Sequence, residues 1–119
     1  MSSFSPSKDV LDALAKAPAK GPVVMLNLLK FKRGGGSKSY SGYAQAFEAL
    51  LKEAGGRFVY MGRAAELIVG DETWDAVALV EYPSRQVFVD VVTSPAYAKI
   101  AAQREDGLER TVLYATDPR

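Results

Sequence analysis

The sequence has no cysteine and no histidine. Without cysteine there can be no disulfide, no thiolate nucleophile and no sulfur-ligated metal, and the redox compartment stays open. Without histidine the commonest general base and the commonest metal ligand are missing, together with the axial ligand of a histidine-bound haem. No metal site and no cofactor is expected. Charge of one sign is also lacking: 15 Lys and Arg stand against 14 Asp and Glu. That balance gives no general field for nucleic acid or an acidic partner. No apolar run reaches the roughly 18 residues of a membrane span, and Met1 to Ser5 offers no apolar leader core. Cytoplasmic residence is therefore expected, with neither membrane nor nucleic acid as partner.

What is present suffices for one folded domain. The chain has 119 residues, of which 48% are hydrophobic. That is enough for a sizeable core and too much for a disordered chain. The stretch from Val77 to Arg104 organises it. An apolar run breaks at Tyr82-Pro83-Ser84, where Ser84 can cap a helix, and Ser94-Pro95 is a second cap with proline at the first helical position. Tyr97, Ile100, Ala101 and Arg104 then fall at i, i+3, i+4 and i+7, so an arginine closes an otherwise apolar helical stripe.

Residues 1–22 read as an N-terminal arm, with a short helix starting at Ser5-Pro6, carrying Val10, Leu11 and Leu14, and stopped by Pro18 and Gly21-Pro22. Residues 23–119 read as the domain proper. Val23 to Phe31 is apolar at both parities, which predicts a strand buried on both faces. Asn27 is the polar exception in its middle, either bonded to neighbouring backbone or facing a ligand. The Gly34–Gly36 run is a connector that could act as a mobile lid over a pocket. Ser39 is expected to cap the helix that follows, Gly55-Gly56 to end it, and Tyr40 and Tyr43 to lie on its apolar stripe.

Arg57 to Val69 and Thr73 to Tyr82 read as a hairpin about Gly70-Asp71-Glu72, with a bulge suggested at Gly62. A regular turn there would set Met61 opposite Glu81 and bring Arg63 diagonal to Glu81. Trp74 would sit at the hairpin end, with Ala76 and Ala78 leaving room for a helix or a ligand. Ser84 to Val92 is rich in β-branched residues, but its position after a cap favours helix. Leu108 to Ala115 is the last strand.

The core order is thus βαββαβ. It predicts an α+β, ferredoxin-like fold: a four-stranded antiparallel sheet with both helices on one face, plus an extra N-terminal helix. Within it, Glu81-Tyr82-Pro83-Ser84, Ser94-Pro95-Ala96-Tyr97 and Arg104 resemble the bacterial family called domain of unknown function 1330, and Tyr40, Tyr43 and Gly55-Gly56 fit the same pattern. The resemblance covers about residues 23 to 116. It implies a dimeric α+β barrel, in which two sheets face each other and each pocket lies between a sheet and its own helices. Families so related include cofactor-free monooxygenases, muconolactone isomerase-like proteins and chlorite dismutase-like haem proteins. The absence of histidine speaks against the haem branch.

The function expected is a homodimer that binds a small organic ligand, either as a cofactor-free enzyme of monooxygenase or isomerase type or as a non-catalytic binding protein. Glu81 and Arg104 are the candidate catalytic residues. Arg104 would hold an anionic or carbonyl oxygen, and Glu81 or a tyrosine would move a proton. Asn27, Tyr40, Tyr43, Arg63, Trp74 and Tyr97 are the candidate ligand-binding residues. The competing reading makes Arg104 and Glu81 an internal ion pair.

Overall fold

The computed structural model describes residues 4–119; residues 1–3, at the head of the expected arm and of the segment read for a leader, lie outside the described residues. The chain runs α1 (Lys8–Lys16), β1 (Val23–Phe31), α2 (Gly36–Glu53), β2 (Arg57–Arg63), β3 (Ala76–Tyr82), α3 (Arg85–Val92), α4 (Pro95–Ala98), α5 (Ala101–Gly107) and β4 (Leu108–Thr116). The strands form one antiparallel sheet in the order β2-β3-β1-β4, which is the ferredoxin-like topology.

The doubly apolar strand takes the centre of the sheet, paired with β3 on one side and β4 on the other. Alternation then divides its side chains. Val23, Met25 and Leu29 are buried with Tyr40, Tyr43, Phe47 and Leu51 of α2 and Phe88 of α3. Val24, Leu26 and Leu28 point to the other face, beside Val77 and Leu79 of β3 and Val112 and Tyr114 of β4. No helix among the described residues covers that face, and Tyr114 is 63% exposed there.

The caps follow the sequence. Ser84 Oγ accepts from the Val87 N–H at 3.1 Å, and Ser94 Oγ accepts from the Tyr97 N–H at 3.1 Å. These caps decide for helix over the β-branched content of Val87 to Val92. The continuation is not one helix, however. It stops at Ala98, turns through Lys99-Ile100 and restarts as α5, which runs straight into β4.

Three expectations need correction. First, α2 begins at Gly36 rather than after Ser39. Its N-cap is Gly35, at φ 115°, a left-handed conformation that glycine adopts without strain. Gly36 packs against Gly107 so closely that a Cβ on either would lie 2.6 Å from the other's carbonyl oxygen.

Second, the β2–β3 hairpin is shorter and its register different. β2 stops at Arg63 and β3 starts at Ala76. Met61 faces Ala78, and Arg57 rather than Met61 faces Glu81. The irregularity falls between Phe58 and Tyr60, while Gly62 pairs regularly with Val77. The cause is long-range. The Asp75 N–H donates to the Leu29 carbonyl at 2.8 Å, and its carboxylate accepts from the Phe31 N–H at 2.9 Å. Arg110 lies 4.3 Å over the Trp74 ring and bonds Glu72 and the Thr73 carbonyl. These ties hold residues 72–75 against β1 and β4 instead of letting them extend the β2 ladder. Leu67, Ile68 and Val69 are left in an exposed loop, the last two 86% and 89% accessible.

Third, the two ion-pair assignments made for Glu81 do not form. Its carboxylate accepts from Arg57 Nε at 2.9 Å, near the surface, and neither Arg63 nor Arg104 reaches it.

Candidate functional site

Between the sheet and α2, α3 and α4 lies a small cavity of about 40 Å³. Met25 and Asn27 of β1, Val80 and Tyr82 of β3 and Leu113 of β4 form its floor. Tyr40, Tyr43 and Phe47 come down from α2 at the i, i+3, i+7 spacing that puts them on one helix face. Phe88, Tyr97 and Arg104 arrive from the three later helices, and Pro6 from the arm closes one side.

Of the sequence-predicted residues, Asn27, Tyr40, Tyr43, Tyr97 and Arg104 are brought together on this cavity. Glu81, Arg63 and Trp74 are not. Glu81 is on the opposite sheet face with Arg57, Arg63 ends β2 beside a separate open groove, and Trp74 lies under Arg110. The Gly34–Gly36 run also stays away. It is a tight turn tied by the Gly36 N–H to the Lys32 carbonyl at 3.0 Å and does not line the cavity. The segment that closes the cavity is the arm. The Phe4 carbonyl accepts from Arg104 Nη1, and Ser5 Oγ donates to Glu105 Oε1 at 3.0 Å.

The sequence reading missed Tyr82 and the arm. Tyr82 has the parity of Ala78 and Val80, the helix-facing residues of β3, and correct register would have found it. The arm reaches Arg104 through a backbone carbonyl, which leaves no mark in the side-chain pattern.

The polar groups are few and defined. Asn27 is 8% exposed, and its Nδ2 donates to the carbonyls of Met25 and Ala78 at 3.3 and 3.4 Å. The amide oxygen has no partner among the described residues and remains available as an acceptor. The Tyr43 and Tyr97 hydroxyls are in hydrogen-bond contact, and their rings meet edge to face. Arg104 is 5% exposed, and no carboxylate pairs with it among the described residues.

Burial raises the phenol pKa of Tyr40, with the Arg104 charge partly opposing. Burial, reinforced by the Tyr97 hydroxyl, pushes Tyr43 well above the usual value. Burial likewise raises Tyr82. These three hydroxyls are therefore protonated at neutral pH and serve as hydrogen-bonding groups rather than bases. No Asp, Glu or Lys lines the cavity among the described residues. What the site offers is one fixed positive charge, neutral hydroxyls, one amide and aromatic walls.

A family model described as "Domain of unknown function (DUF1330)" matches residues 35–117. No curated protein matches the chain. Among solved structures, a protein of unknown function from Rhodopseudomonas palustris is 27% identical, with a TM-score of 0.89 over 97% of this chain and 95% of that one. A dimeric ferredoxin-like protein of unknown function from Jannaschia sp. is 11% identical, with a TM-score of 0.66 over 82% of this chain and 100% of that one. A cofactor-independent oxygenase from Streptomyces nogalater is 16% identical, with a TM-score of 0.59 over 83% of this chain and 94% of that one. The last two likenesses are of fold alone.

Proposed function

The chain belongs to the DUF1330 family, and from that premise we propose that it is a homodimer binding a small organic molecule in the cavity between each sheet and its own helices. One observation carries the reading. Asn27, Tyr40, Tyr43, Tyr82, Tyr97 and Arg104 converge on a space inside a core that is otherwise apolar. A protein that needed only stability would fill such a space with aliphatic side chains, since buried polar groups cost free energy unless fully bonded.

The dimer is supported by the uncovered sheet face. Val24, Leu26, Leu28, Val77, Leu79 and Val112 form one apolar surface on it. Contiguous apolar patches of this kind are seldom left in water. A second copy, sheet to sheet, is the simplest cover, with a total interface of roughly 2,000 Å² or more. The Jannaschia protein, of the same fold, is dimeric.

A second reading, a cofactor-free enzyme of oxygenase or isomerase type, draws on the fixed Arg104 charge beside neutral hydroxyls. Such a set suits an oxyanion developing on a substrate whose own C–H is acidic. Since the cavity wall carries no carboxylate, histidine or cysteine among the described residues, the substrate would have to supply its own basic group or lose its proton to solvent. Binding without turnover is the simpler assignment.

Native mass spectrometry of the purified protein tests the proposal. The expected species is a dimer carrying a non-covalent small-molecule adduct, and Leu113→Trp, which fills the cavity from its floor, is expected to lose the adduct while staying dimeric. An adduct-free protein whose melting temperature no small aromatic or aliphatic compound raises would refute it.

A further inference from the structure

Arg104 is the most deeply buried charged side chain among the described residues, and it has no counter-charge there. The four ion pairs among the described residues are elsewhere, each with at least one partly exposed member. A guanidinium has five N–H donors in a planar fork that matches a carboxylate. Here Nη1 goes to the Phe4 carbonyl, and the Tyr40 hydroxyl lies alongside. A carbonyl dipole returns only part of the hydration that a buried cation loses. The Phe4 carbonyl thus stands where an anionic oxygen would bind more strongly.

The arm also occupies space. The cavity of about 40 Å³ has room for a few water molecules and not for an organic ligand. A second cavity of about 240 Å³ lies beside it, lined by Phe4, Ser5, Pro6, Val10 and Leu14 on the arm side. The two share Pro6, Met25, Phe88 and Leu113 as a common wall. Withdrawal of residues 4–6 joins them into a space close to the roughly 300 Å³ at which ligand pockets begin.

Resting on the binding reading above, we infer that the ligand is a small monocarboxylic acid with a flat, ring-bearing body, and that the Phe4-Ser5-Pro6 segment holds its place in the free protein. One arginine and no second cation on the cavity wall among the described residues fit a single negative charge. The aromatic wall of Tyr43, Phe47, Phe58 and Phe88 fits a ring. The acid's oxygens replace the Phe4 carbonyl on Arg104, and the arm leaves.

The test uses the full-length chain with benzoate and phenylacetate, the neutral isosteres benzamide and phenylacetamide, and inorganic phosphate, each titrated by calorimetry. The acids are expected to bind at least about tenfold more tightly than their amides, as one charge-assisted contact gives, and more tightly than phosphate. Hydrogen exchange in the peptide containing residues 4–7 is expected to rise when acid binds. Arg104→Met is expected to remove the acid preference, and Arg104→Lys, which keeps the charge should the first variant fail to fold, to retain part of it. Equal binding of acids and amides overturns the carboxylate assignment and leaves the pocket reading standing. Tighter binding of phosphate overturns the single-charge argument in the same way. Acid binding with unchanged exchange at residues 4–7 overturns the displacement of the arm. Binding of none of these compounds overturns the carboxylate inference, and failure of neutral aromatics such as indole as well removes the pocket reading with it.

Discussion

The Tyr43 and Tyr97 hydroxyls lie 3.0 Å apart and join the middle of α2 to the short helix α4. That bond is a direct polar tie between the long helix and the broken helical segment on the cavity wall. Tyr43→Phe is expected to lower stability by about 1 kcal/mol, the usual net worth of one hydrogen bond. The double variant Tyr43→Phe/Tyr97→Phe should cost less than the sum of the two single changes, because the second removes a hydroxyl already left alone. Urea denaturation of the four proteins measures the coupling, and strict additivity would show that the two hydroxyls do not act as a pair.

Alkaline pH should unfold the protein through its buried phenols. Tyr40, Tyr43 and Tyr82 all have folded pKa values raised above the usual 10. The unfolded chain releases these protons near pH 10 and the folded chain does not. Their contribution to stability is therefore complete below about pH 10 and declines above it, by up to about 1.4 kcal/mol per pH unit for each phenol. Ultraviolet phenolate absorbance and far-ultraviolet circular dichroism should show these three ionising together with loss of structure. Ionisation of all six tyrosines before any structural change would contradict the burial argument.

Gly36→Ala tests the contact between α2 and α5. Alanine is the better helix former by about 1 kcal/mol, so local propensity favours the change. The contact opposes it: the new Cβ would lie 2.6 Å from the Gly107 carbonyl oxygen and 3.1 Å from Lys32 Cβ. Backbone atoms cannot step aside as a side-chain tip can, so a net loss of about 1–3 kcal/mol is expected. A neutral or stabilising result in chemical denaturation would mean that α2 and α5 separate easily.

Leu79→Asp places a charge in the middle of the uncovered sheet face, beside Leu26 and Tyr60. In the single chain the new carboxylate is solvated and the fold should persist. In a sheet-to-sheet dimer it would be buried without a partner, at a cost of several kcal/mol. Light scattering should give twice the 12.8 kDa chain mass for the wild type and the chain mass for the variant. A wild type already at the single-chain mass would rule out the dimer.

The parts of the fold legible in the sequence are those with local causes. β1 was readable from Val23 to Phe31 because a largely apolar run with both parities filled has one comfortable place, the middle of a sheet. Ser84 and Ser94 were readable because a cap is a contact between residues three apart. The β2–β3 register was not, since it depends on Asp75 bonding to Leu29 and Phe31, more than forty residues earlier. Of the site, the helix-borne residues Tyr40, Tyr43, Tyr97 and Arg104 could be placed by periodicity. Glu81 was misjudged as Arg104's partner because parity placed it on an apolar strand face without saying which side of the sheet that face was. Nothing in the side-chain pattern around Arg104 signals that it reaches a backbone carbonyl 100 residues away.

The central position of β1 has a consequence for biosynthesis. The most apolar strand of the sheet is made before either of the strands that flank it. Val24 is bonded by Thr116, 92 residues later in the chain. At roughly 5–20 residues per second, the ribosome takes about five to twenty seconds to reach that partner. Until β3 is made VVMLNLLKF is a nine-residue, largely apolar segment with both hydrogen-bonding edges open, and until β4 follows one edge stays open, the kind of sequence that pairs with copies of itself. Yield of native protein should therefore depend on translation speed and on chaperones that shield nascent strands, more than the stability of the finished fold would suggest.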